Sequence, residues 1–162
     1  MRRLVCFTVL ALAFAGTAAG LALASSDDGT LSVKAGIGSV YLNFHGSAVG
    51  RLARGSIQIT DPVADDGLGA DVWGCETKDK IDATTVCRGY NLRFRAIGGR
   101  YQIQLRGAGI YLSAVGHGAA VLNGAGDDPD VVSDGTYSLN DQAYKSLPDL
   151  RSKLDLVAPA GG

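Results

Sequence analysis

Leu31, Val33, Ala35, Val40, Leu42 and Phe44 alternate with polar or small residues. The same alternation returns 61 residues later at Leu92, Phe94, Ala96, Tyr101, Ile103 and Leu105. Thr30 to Gly46 aligns with Asn91 to Gly107 without a gap. A period of two is that of a β-strand with one face buried. In each copy the alternation is interrupted at a glycine-containing pair, Ile37-Gly38 or Gly98-Gly99, and Gly-Gly favours a two-residue turn. Folding the first copy back at that pair opposes Leu31 to Phe44, Val33 to Leu42 and Ala35 to Val40. The second then opposes Leu92 to Leu105, Phe94 to Ile103 and Ala96 to Tyr101. Two hairpins are therefore predicted, each with its apolar pairs on one face. A slip of one residue would set apolar against polar throughout.

The remaining strands expected are 56–60, 109–115, 119–123 and 136–139, with glycine-rich bends between them. Pro148 to Leu154 has the spacing of one helical turn, with proline at an allowed early position. The fold class expected is all-β: a small sandwich or barrel of about 8–9 short strands built from two related hairpin-containing halves. The alternative is a β-solenoid in which glycine-bounded strands stack as coils. It fits the hairpin registers less well, and Gly46 to Gly55 is not matched in length by Gly107 to Gly118.

Residues 1–24 have the form of a secretory signal: Arg2-Arg3, an apolar stretch from Leu4 to Ala19, and Ala22-Leu23-Ala24 as a small-x-small cleavage site. The alternative is an uncleaved anchor. One β domain is expected over 25–145, with halves 30–60 and 91–123, an insert at 61–89 and a tail at 146–162. Cleavage would leave 13 basic against 16 acidic residues, a charge of −3, which argues against nucleic acid as a partner. Cys6 would leave with the signal, so Cys75 and Cys87 are the remaining pair and are predicted to form a disulfide. It closes a loop of about 13 residues, worth roughly 3 kcal/mol in the chain-entropy description. Trp73, the only tryptophan, is expected to fill core space beside it.

The outer face of the second predicted hairpin carries Arg93, Arg95, Gln102, Gln104 and Arg106. Guanidinium forks bind carboxylate, sulfate or phosphate through two parallel hydrogen bonds, and glutamines beside them can hold hydroxyls. These five are the candidate ligand-binding residues, suited to an anionic glycan or cell-wall polymer. The equivalent positions of the first copy, Ser32, Lys34, Asn43 and His45, are far less basic. Asp127, Asp128 and Asp130 form a weak calcium candidate, because their spacing fits neither an EF-hand loop nor a repeated calcium-binding motif. No cofactor is implied. No catalytic residue is assigned, since nucleophile-elbow and metalloprotease motifs are missing and Glu76 is the sole glutamate. A hydrolase with a His/Asp site built on His45 or His117 is the rival expectation. It requires a histidine near a carboxylate within a cleft.

Leu92-Arg93-Phe94-Arg95-Ala96-Ile97-Gly98-Gly99-Arg100-Tyr101, followed by Gly109-Ile110-Tyr111-Leu112-Ser113-Ala114-Val115-Gly116-His117-Gly118, resembles a family of small, glycine-rich secreted β proteins of high-GC bacteria with no established activity. The resemblance implies an exported β domain and carries no site residue with it. The expectation is therefore a secreted or envelope-bound, non-enzymatic domain without a membrane span after cleavage.

Overall fold

The computed structural model describes residues 27–63, 67–126 and 133–159. Residues 1–24, expected to be a secretory signal, with Cys6, and the calcium candidate Asp127, Asp128 and Asp130 lie outside the described residues. The described residues are all-β and antiparallel, with no helix. The strands are β1 (Gly29–Thr60), β2 (Ala70–Trp73), β3 (Thr77–Ile81), β4 (Thr84–Gly124), β5 (Thr136–Leu139), β6 (Lys145–Ser146) and β7 (Ser152–Leu156). At 32 and 41 residues, β1 and β4 far exceed an ordinary strand of about 5–6 residues. Each bends repeatedly and keeps pairing through its bends.

Neither predicted hairpin forms, because both edges of every segment concerned are taken by other partners. Leu42 pairs with Ile103 on one side and Ala120 on the other, and Val33 lies between Leu112 and Tyr137. Phe94 lies between Gly50 and Val72. At the two glycine pairs the chain does not reverse within a sheet. It turns a corner into a second layer.

The registers sort into two ladders. A front layer runs in the order β6, β5, 29–34, 111–116, 47–52, 92–96, β2. A back layer runs β7, 118–124, 38–46, 99–107, 54–60, 84–90, β3. The two are continuous through the bent strands and face each other across one hydrophobic cluster. This is the sandwich of the expected class, with outer edges left open rather than closed into a barrel. Successive passages of β1 alternate between front and back, as do those of β4 in the opposite direction. The two segments thus interleave around a shared core. The glycine-bounded coils of the solenoid alternative are present, but each coil's neighbours come from the other, antiparallel segment.

The internal repeat is preserved as a pseudo-two-fold axis. Leu42 and Ile103 occupy equivalent positions, 61 residues apart, and are each other's cross-strand partners, so the axis passes between them. The repeated unit is a front strand, a corner and a back strand. At the corners, glycines face one another: Gly55 pairs with Gly107, and the axis relates them to Gly116 and Gly46. Gly107 has φ 142° and Gly55 φ 136°. A β-carbon on Gly107 would overlap the Arg54 carbonyl oxygen, and one on Gly55 the Arg106 carbonyl oxygen. Two bent backbones cross there at a distance only glycine allows.

The predicted inner faces are correct except at one residue. Leu31, Val33, Val40, Leu42, Phe44, Leu92, Phe94, Ala96, Tyr101, Ile103 and Leu105 are all buried. Burial of such side chains contributes about 1.5–3 kcal/mol each. Tyr101 is fully buried and its hydroxyl donates to the Ile97 carbonyl at 3.2 Å, so its polar end is satisfied. Ala35 is the exception. It is exposed with φ 52°, where the ladder shifts between Val33 and Gly36, and Gly36 takes the buried place. The helical turn expected near Pro148 is absent; Ser152–Leu156 instead pairs with Gly118 to Leu122 and buries Leu156 completely. Edge pairing satisfied its backbone and apolar side chain together, which an isolated helical turn could not.

Candidate functional site

Cys75 and Cys87 are disulfide-bonded. The bridge ties the junction between β2, in the front layer, and β3, in the back layer, to the start of β4. It therefore secures the edge strand that carries Trp73. Trp73 does not fill core space: it is 50% exposed. Its neighbours on the strand explain this, because Val72 takes the inward position and alternation sends Trp73 outward.

The five candidate ligand residues are not brought together. Arg93 and Arg95 project from the front layer, whereas Gln102, Gln104 and Arg106 project from the back layer. All five point away from the shared core, so the two groups lie on opposite outer faces. The corner at Gly98-Gly99 separates what the hairpin would have joined. Arg95 is held by Asp71 at 3.2 Å, directly opposite on β2. Arg93 has a different setting. Its cross-strand neighbours are Arg51 on one side and Trp73 on the other, and Arg51 is in turn opposite Tyr111.

A row of cations and aromatics thus crosses the front face on successive strands: Trp73, Arg93, Arg51, Tyr111 and then Lys34. It spans four strand spacings, roughly 19 Å at about 4.8 Å each. The Arg51 guanidinium lies 4.3 Å from the Tyr111 ring centre, and the Lys34 ammonium 4.0 Å from that of Tyr144. These residues line an open groove of about 1030 Å3, floored by Val49, Gly50 and Leu112 with the hydroxyls of Ser32 and Ser113 alongside. No carboxylate lines it among the described residues. Like charges directly opposite on a sheet are destabilising, yet neither Arg51 nor Arg93 has an acidic partner among the described residues. Arg93→Gln is accordingly expected to leave thermal stability unchanged or to raise it by up to about 1 kcal/mol, checked by thermal denaturation.

Nothing in the local spacing of Arg51, Tyr111, Tyr144 and Lys34 links them in the sequence. Arg51, Tyr111 and Lys34 share outward strand parity, which marks a face and not a neighbour, and Tyr144 lies in the loop before β6. The histidines do meet. His45 and His117 are cross-strand partners with stacked rings 5.3 Å apart, and His117 Nδ1 is 3.0 Å from Asp28 Oδ1. Neither lines the front groove. Ser113 faces the front groove while His117 pairs in the back layer, so the two do not form a nucleophile–base arrangement. No set of three metal-ligating side chains converges among the described residues, and no helix there is long and apolar enough to cross a membrane. Comparison with known proteins returns no matching family model, curated protein or solved structure.

Proposed function

We propose that this protein is an exported, non-enzymatic binding domain whose front groove holds an anionic glycan of the cell envelope. The observation that carries this reading is the uncompensated Arg51–Arg93 pair set between Tyr111 and Trp73. Two adjacent guanidiniums present forks to a carboxylate or sulfate. Exposed aromatic rings on either side offer flat apolar surfaces against which sugar rings can lie, with serine hydroxyls within the same groove. An open groove crossing five strands suits an extended polymer better than a compact metabolite. The disulfide is consistent with an oxidising compartment. Single-stranded nucleic acid also uses aromatic and basic surfaces, so oligothymidylate is the competing ligand in the test.

Oligogalacturonate, a carboxylated glycan, and its uncharged methyl ester provide the test. Trp73 is the only tryptophan and half exposed in the groove, so its emission should respond to occupancy. The acid form is expected to shift that emission and the ester to bind at least about tenfold more weakly. Arg51→Ser and Arg93→Ser should each weaken the acid form by about tenfold or more, the usual worth of a charged hydrogen bond. Equal affinity for acid and ester, unchanged affinity in the double variant, or tighter binding of oligothymidylate would each overturn the reading.

A further inference from the structure

The back layer has a polar hollow of its own, on the face opposite the groove. It measures about 360 Å3 and is lined by Ser39, Tyr41, Gln104, Arg106, Asn123 and Arg151, with Val121 at its wall. We propose that this hollow is a separate site for one tetrahedral oxyanion, a phosphate or sulfate group. Its donors come from four separate segments. Ser39 is on β1, Gln104 and Arg106 on one passage of β4, Asn123 on the next passage, and Arg151 precedes β7. The planar fork of one arginine suffices for a carboxylate, whereas donors arriving from several directions match an anion with oxygens in several directions.

Arg106 is held in place. With the Gln104 amide oxygen turned toward it, that oxygen accepts from Arg106 Nε at 3.2 Å and Nη2 at 3.0 Å. The guanidinium is oriented without being neutralised, and its outer N–H groups remain available. Neither Arg106 nor Arg151 has an acidic partner among the described residues, and no carboxylate lines the hollow there. Two cations converging on a hollow without a counter-charge repel one another, and a bound anion relieves that repulsion. The volume exceeds that of a bare phosphate, and Tyr41 and Val121 give it an apolar side on which an ester group could rest. The hollow shares no residue with the front groove, so its occupancy is independent of the glycan reading.

Titration of the whole secreted protein with inorganic phosphate, glucose 6-phosphate and glucose, followed by calorimetry and arginine side-chain NMR, tests the site. Both phosphates should move the Arg106 and Arg151 Nε–H resonances, and glucose should not. Tighter binding of the ester assigns the site to a phosphorylated organic group, and equal or tighter binding of inorganic phosphate assigns it to the free ion. Arg106→Ser and Arg151→Ser should each weaken phosphate binding by about tenfold or more, while Arg51→Ser and Arg93→Ser should leave it unchanged. The substituted positions are exposed, and an unaltered circular dichroism spectrum establishes that each variant is folded. Absence of phosphate binding, wild-type affinity in the Arg106→Ser and Arg151→Ser variants, or equal loss in the front-groove variants would overturn the proposal.

Discussion

Gly107→Ala should destabilise the protein by about 3 kcal/mol or more, since backbone held in a disfavoured region costs roughly 1–3 kcal/mol before any clash is added. Both terms apply at Gly107. Its φ of 142° is outside the range of an L-alanine, and the added methyl would overlap the Arg54 carbonyl oxygen. That oxygen is backbone, so it cannot move aside as a flexible side chain would. Relief requires the two corners to separate, which would break the flanking Ser56–Arg106 pairing and disturb the fully buried Ile57 and Leu105. Urea denaturation of Gly107→Ala and Gly67→Ala provides the contrast. Gly67 also has a positive φ, 76°, but open space around it, so its substitution should cost only the backbone strain. A Gly107→Ala variant no less stable than Gly67→Ala would mean that the corners do not cross as described.

Removal of the disulfide, by Cys75→Ala with Cys87→Ala, is expected to cost about 3 kcal/mol in a loop of this length. The consequence should extend to the front face. β2 is a strand of four residues that pairs, among the described residues, with β4 alone, and the bridge closes just beyond Trp73. Without it, β2 should fray first, as short edges with few buried contacts do. Only Val72 of that strand is buried. Trp73 emission should then move toward that of a solvated indole, and the affinity of the groove for carboxylated glycan should fall, while phosphate binding on the back face persists. Hydrogen exchange resolves the order of loss. Uniform loss of protection across both layers, rather than an early loss at β2 and β3, would contradict this account of the bridge.

Side-chain parity was legible in the sequence and partnership was not. The apolar positions of both repeats are inward as expected, with Ala35 displaced by a bulge. The same apolar residues that match within the imagined hairpins also match across the real, non-local ladder: Val40 with Leu105, Leu42 with Ile103, Phe44 with Tyr101. The two registers are equally apolar, so apolar matching does not distinguish them. Glycine spacing carries the signal that apolar matching lacks. Gly29, Gly38, Gly46 and Gly55, then Gly89, Gly98, Gly107, Gly116 and Gly124, recur every eight or nine residues; Gly29 and Gly124 end the two long strands, and the others each lie at a passage between layers. Because Gly98-Gly99 forms a corner and not a turn, Arg93, Arg95, Gln102, Gln104 and Arg106 have none of the neighbours a hairpin would give them.

Alternation along the chain and the cysteine pair by themselves determined the strand class, the buried face of each segment and the disulfide. These are properties of a residue and its immediate neighbours: successive side chains in a strand point to opposite sides whatever lies alongside. Tertiary structure alone decided that Arg93 stands between Arg51 and Trp73, and that Arg106 shares a hollow with Arg151 on the other side of the molecule. The backbone ladder that chooses strand neighbours is made by N–H and C=O groups common to every residue. Where two registers bury the same side chains, the choice falls to the corners, where only facing glycines let the two long strands cross.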